Sequence, residues 1–176
     1  GAGVTFDGYT YGSIVLGNGQ EWMEENLRTT TYANGDPIPN VTNSTQWNNL
    51  TTGAWVYFIN DYQLENPFGK LYNWYTVNDS RNLCPLGWHV PSDAEWSIFI
   101  DYLDPIAEGG NNVVNEAGSK MRSTGTQYWD VPNTDATNES GFSALGGGYR
   151  LGTIGFSEWY GMGYLGYWWS STAHDE

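Results

Sequence analysis

Fifteen residues, Asn82-Leu-Cys-Pro-Leu-Gly-Trp-His-Val-Pro-Ser-Asp-Ala-Glu-Trp96, constrain this chain more than any other stretch. They hold a Cys, two Pro, a Gly, two Trp and a helix start, a density that specifies a fold rather than an active site. Gly87 and Pro91 bracket a short extended piece, residues 88–90. Ser92 reads as an N-cap, and Glu95 three residues on completes a Ser-x-x-Glu capping box that satisfies two orphan backbone donors. Trp96, Phe99, Ile100 and Leu103 then recur at i, i+3, i+4 and i+7, and Asp104-Pro105 stops the pattern. The spacing predicts a helix over residues 93–103 that buries this apolar stripe.

At 176 residues the chain fits one domain, read as 1–176, large enough to bury a core without a metal or disulfide. Six Lys and Arg against twenty Asp and Glu give a formal charge of −14. Phosphate backbones and anionic lipid surfaces need clustered cations, so nucleic acid and membrane surfaces are disfavoured partners. No stretch approaches 18 apolar residues, so no membrane span is expected, and Gly1-Ala-Gly3 lacks the basic and apolar regions of a signal peptide. Ten Trp and thirteen Tyr in a chain of low charge content, rich in Asn, Thr and Gly, suit a loop-rich secreted or surface-displayed domain whose leader has been removed.

Along the chain, Asp7-Gly8 and Gly17-Asn18-Gly19 punctuate β-forming residues between 7 and 28, the pattern of opening hairpins. Residues 44–50 suit one short helix. Ala54-Trp-Val-Tyr-Phe-Ile59 reads as a continuous apolar core strand. Residues 69–77 mix helical spacing with β-forming residues, and a short helix is favoured there. A second small helical or irregular piece is expected over Val113–Ser123, with loop from Gly125 to Gly141. Tyr167–Thr172 reads as a strand by β-propensity. Between Leu151 and Leu165, Ile154, Phe156, Glu158, Trp159, Tyr160, Met162 and Tyr164 stand among glycines. That composition resembles a binding loop, in which rigid aromatics supply contact area at small entropy cost. The alternative is a loop folded back on its own core.

The blocks Gln20–Leu27, Gly69–Tyr75, Leu83–Trp96, Ala136–Leu145, Gly147–Arg150 and Tyr167–Thr172, taken in that order, resemble the Fibrobacter succinogenes major paralogous domain over about residues 7–172. The Gly87–Trp96 block is also similar to a motif of the formylglycine-generating enzymes, whose fold is a variant of the C-type lectin fold. The resemblance therefore implies an α+β, C-type-lectin-like architecture: small antiparallel sheets, two short helices and long loops. Related lectin-like folds carry the variable, ligand-binding residues of retroelement-diversified proteins in their C-terminal part, which by analogy makes 151–165 the displayed segment. Relatives commonly continue past Trp-Trp-Ser-Ser-Thr to a closing strand bearing a Cys. From the resemblance, that Cys would be the expected disulfide partner of Cys84. A strand edge left open where the closing strand would pair would suit a swapped or edge-paired oligomer.

The chemistry-bearing residues are sparse. Cys84 is the sole cysteine, and a nucleophile would need a base for which only His89 and His174 exist. It reads as a small buried hydrophobe. The reactive cysteine pair that the formylglycine-generating enzymes need is missing, and the two His residues have no metal-ligand spacing. Calcium is the best-motivated cofactor: Asp130, Asn133, Asp135, Asn138 and Glu139 offer hard oxygens on one loop run, although turn chemistry on a solvated acidic face explains the same residues. Trp22, Trp55, Trp74, Trp88, Trp96, Trp168 and Trp169 fall in motifs or strands and read as core. The expected function is a non-enzymatic, extracellular or surface-displayed module, of the kind found in adhesins and surface lipoproteins. It would recognise a glycan or surface protein through Phe156, Glu158, Trp159, Tyr160 and Tyr164. The alternative is a structural or adhesive cell-envelope domain without a single ligand.

Overall fold

Turn chemistry sets the first elements. In the computed structural model, which describes residues 1–105, 116–152 and 158–174, Asp7 and Gly8 both take positive φ (46° and 78°) and close a hairpin between β1 (Val4–Phe6) and β2 (Tyr9–Tyr11). Positive φ at both central residues suits the right-handed twist of the flanking strands. Residues 16–20 turn β3 (Ser13–Val15) back into β4 (Glu21–Met23), placing Ile14 opposite Trp22.

Asn43 caps α1 (Ser44–Asn48), its side chain accepting from Gln46 N–H at 2.9 Å. The apolar run at 54–59 is a strand only over β5 (Trp55–Val56). Ile59 turns into the left-handed region, φ 47°, and is exposed, so the chain leaves the sheet for two 3-10 turns and the helical turn α2 (Glu65–Phe68). Residues 69–77 divide between the two tendencies seen in the sequence. β6 (Leu71–Tyr72) pairs with β5, and Asn73 then caps α3 (Trp74–Val77).

The predicted helix forms as α4 (Asp93–Leu103), with both hydrogen bonds of the Ser92–Glu95 capping box present. Phe99 and Leu103 are buried and Trp96 and Ile100 pack beside them, as the stripe requires. α5 (Ala117–Met121) supplies the second small helix, while residues 113–115 of that expectation lie outside the described residues. β7 (Gly147–Arg150) and β8 (Trp159–Met162) form the last hairpin. The architecture is α+β: among the described residues, four two-stranded antiparallel sheets and a few short helices joined by long coil.

Two apolar clusters fill the interior. One gathers Trp22, Phe99, Leu103, Met121 and Phe142, with Trp96 and Trp168 at its margin. Most of its rings meet at tilted or edge-to-face angles, Trp22 lying 4.6 Å from Trp96 and 4.8 Å from Phe99 between centroids, while Trp96 and Phe99 stack. The other gathers Tyr32, Ile38, Trp55, Tyr72, Val77 and Leu83. Tyr167–Thr172 is not a strand. Its hydrogen bonds go to other elements: the Trp168 indole donates to Asn26 Oδ1 (3.2 Å), the Trp169 indole to the Tyr72 carbonyl (2.9 Å), and Ser171 N–H to the Pro91 carbonyl (2.8 Å). The Trp169 carbonyl accepts from Trp96 Nε1, and Thr172 Oγ1 from Asp93 N–H. Tyr167–Thr172 thus straps the two clusters together. Trp169 itself is exposed, unlike the core residue expected from its motif.

Candidate functional site

The hairpin β7–β8 turns the supposed loop at 151–165 into a two-faced element. Gly148 sits at φ 63°, where a Cβ would lie 2.3 Å from the Tyr160 carbonyl oxygen, so only glycine lets the strands approach this closely. Arg150 is opposite Trp159 and Tyr149 opposite Tyr160. Alternation sends these two pairs to opposite faces.

The Arg150 face is locked. Its guanidinium carbon lies 4.6 Å from the Trp47 ring centroid and 4.7 Å from that of Trp159, a cation held between two indoles. Nη1 donates to the Val41 carbonyl (2.9 Å), Nη2 to that of Thr42 (3.0 Å), and Nε to Glu158 Oε2 (2.9 Å). The other Glu158 oxygen accepts from Ser44 Oγ at 2.8 Å. Burial alone would raise the Glu158 carboxyl. Hydrogen bonds from Ser44 and Arg150, the Arg150 charge and a bond from Trp159 outweigh it and hold the group below the ordinary glutamate range.

This arrangement engages two of the expected ligand contacts within the protein. Glu158 has both oxygens engaged within the protein, and Trp159 is half-buried between Arg150 and Phe58, 5.5 Å from the latter's centroid. Both anchor the hairpin to α1 and the 58–60 turn. Phe156 lies outside the described residues.

On the other face Tyr149 and Tyr160 are half-buried. Tyr149 and Tyr160 stack with centroids 5.8 Å apart and planes at 23°, and Tyr167 meets Tyr149 edge-on at 4.8 Å. Tyr164 and Tyr167 are 70% and 61% exposed. Of the expected contacts Tyr164 is exposed and Tyr160 half-buried, and ring contacts bring Tyr149 and Tyr167 to Tyr160's side of the hairpin. The sequence reading passed over these two because Tyr149 lies in a motif block and Tyr167 in a supposed strand. Only the register and the strap bring them together.

A groove of about 380 Å³ adjoins this face through Tyr167 and Gly147. Its walls come from β4 and residues 24–27, from β6, from residues 87–91, and from Leu145, Trp168 and Trp169. Cys84 lines it as a free thiol, pushed up to about 12 by burial and so protonated at neutral pH. His89 is exposed and within 2.8 Å of the Glu95 carboxylate that also closes the capping box, and His174 is exposed.

The five residues expected to cage calcium do not converge. Asn133 is buried and turns its amide nitrogen onto the Ser123 and Gly125 carbonyls (3.0 and 2.7 Å). Asp135 pairs with Arg122, and Asn138 both donates to Ser143 Oγ and accepts from Ser143 N–H. The Asp130 carboxylate lies beside Gly163, and Glu139 is exposed. Among the described residues no three His, Cys, Asp or Glu side chains gather closely enough to hold a metal ion. The loop spends these groups within the protein instead: Asn133 on the 123–125 segment, Asp135 on Arg122, and Asn138 on the turn at Ser143. No helix among the described residues is long and apolar enough to cross a membrane.

Compared with known proteins, the chain matches the family model described as Fibrobacter succinogenes major domain over residues 15–176. Neither the comparison with curated proteins nor that with solved structures gave a match.

Proposed function

This chain belongs to the Fibrobacter succinogenes major domain family, and on that footing we propose that it is an extracellular or surface-displayed module of C-type-lectin-like architecture that binds a glycan without catalysis. The observation that carries the reading is the tyrosine cluster of β7–β8, in which the Tyr149 ring meets those of both Tyr160 and Tyr167, with Tyr164 and Tyr167 exposed. Stacked phenols offer apolar faces to pyranose rings and hydroxyls to their polar edges, and they are held before any ligand arrives. The preorganisation comes from the opposite face, where Arg150 fastens the hairpin.

The lectin-like reading draws support from the short antiparallel sheets, the pairing of one eleven-residue helix with a second short helix, and the long coil between them. The non-catalytic reading draws support from Cys84, a protonated buried thiol, and from the engagement of Glu158 within the protein. The surface-exposed setting draws support from the acidic, loop-rich composition.

A glycan array probed with the unmodified chain and with Tyr160→Ala and Tyr164→Ala tests the proposal. Each substitution is expected to weaken binding by about 1 kcal/mol, roughly fivefold in Kd. An array profile left unchanged by the double variant would end it.

A further inference from the structure

One carboxylate stands unspent where β8 ends. Asp130 is exposed, and among the described residues its side chain accepts no hydrogen bond and meets no cation. The backbone fixes its position. Asp130 N–H donates to the Gly163 carbonyl (2.8 Å), and Gly163 N–H to that of Gly146 (2.8 Å). A Cβ at residue 163, whose φ is 81°, would lie 2.9 Å from Asp130 Oδ1 and 3.0 Å from Oδ2, so the carboxylate rests against the glycine. Tyr164 follows directly, its N–H held by the Gly161 carbonyl (2.9 Å), and consecutive Cα atoms are about 3.8 Å apart. One short, hydrogen-bonded turn thus carries both the exposed Tyr164 and the unpaired acid.

The cations of the chain are engaged elsewhere. Five of the six Lys and Arg form ion pairs within the protein, and the sixth, Arg28, lies over the Tyr9 ring at 4.2 Å. Among the described residues none of the six makes a ring contact with Tyr149, Tyr160, Tyr164 or Tyr167. An anionic sugar would find no counter-charge there and would meet the field of a chain carrying −14. An ammonium, by contrast, finds an unpaired carboxylate and phenol rings whose faces attract cations.

We infer that the glycan taken by the tyrosine cluster is an amino sugar with a free ammonium, seated against Asp130 with its rings on the tyrosines, and that uronate-bearing glycans are turned away. The inference rests on the glycan reading above and narrows it to one charge class. An N-acetylated sugar keeps the ring and loses the charge, so the amine and amide forms of one glycan separate the Asp130 contact from the stacking. An exposed charge pair of this kind is worth about fivefold in Kd.

The test is calorimetric titration of the chain with three sugar tetramers, of glucosamine, N-acetylglucosamine and galacturonate, at about pH 6, where amine and carboxylate are both charged. The glucosamine tetramer is expected to bind about fivefold more tightly than its N-acetylated form, and the galacturonate tetramer most weakly. Asp130→Asn keeps the shape of the side chain and is expected to abolish the amine preference while leaving the affinity for the N-acetylated tetramer unchanged. Asp101→Asn removes an exposed acid on α4 and is expected to leave the preference in place, which separates a local contact from the field of the whole chain. Equal binding of the amine and N-acetyl forms would overturn the inference, as would a preference that survives Asp130→Asn or falls equally with Asp101→Asn. Array binding confined to neutral or anionic glycans would overturn it and leave the glycan reading standing, whereas a chain that binds no glycan loses both.

Discussion

Arg150 shows how a single side chain decides what its neighbours are free to do. With 1% of its side chain exposed, it is desolvated between two indoles, and its donors are spent on two carbonyls and Glu158. Arg150→Ala would leave the half-buried Glu158 carboxylate without its cation and open the space between Trp47 and Trp159. A loss of about 3 kcal/mol or more is expected in urea unfolding. Arg150→Lys restores charge but not the planar fork or the stack, and is expected to recover only part of that loss. The carboxylates give a signed pH dependence. Arg81, chiefly by hydrogen bonds, holds Asp79 down to about 2, and Glu158 lies below its ordinary 4.5. Groups depressed on folding stabilise above their unfolded values and lose that contribution as pH falls through the folded ones. The melting midpoint should therefore fall steadily from about pH 4.5 toward pH 2. Glu158→Gln should flatten that limb, as a melting series in acid would register. None of this pairing was legible in the sequence, since Ser44 and Glu158 stand 114 residues apart and Glu158 reads locally as an exposed acid among glycines.

At the scale of elements, local signals were accurate where they were self-contained. The Ser92–Glu95 box and the Trp96–Leu103 stripe specify α4 from adjacent residues, and the helix forms over residues 93–103. Ser92→Ala is expected to cost about 1 kcal/mol in stability, seen as a shifted denaturant midpoint with unchanged slope. Elements whose partner is distant were misread. The run at 54–59 has the hydrophobicity of a long strand, yet β6 offers it a two-residue ladder and Ile59 turns away. Residues 159–162 look like displayed loop because the glycines around them suggest flexibility, whereas Gly148 allows the close approach of β7 and β8. The aromatic stretch 167–172 has strand propensity but spends its hydrogen bonds on α4, β6 and Asn26. Propensity describes a half-buried pleated surface, and these residues meet other elements instead.

Over the whole molecule, the candidate site is a meeting of segments far apart in sequence. Tyr160 and Tyr164 were identifiable as aromatics on a glycine-rich stretch, but their neighbours Tyr149 and Tyr167 arrive through strand register and the strap. The groove is less legible still, being bounded by residues from 20 to 169. The two apolar clusters are joined at their margins by Trp168 and Trp169, so unfolding followed by near-ultraviolet dichroism and by denaturant titration should trace one transition. Phe99→Ala, at a fully buried position, should lower the stability of that transition by about 3–5 kcal/mol. Replacing both Trp168 and Trp169 by alanine should resolve it into two. The strap has a mechanical corollary. Tension entering from the C-terminal side would reach both interiors at once through a pair of indoles and their flanking bonds, loading them in parallel before any hairpin is peeled. A tether of that kind resists pulling by shear rather than by unzipping.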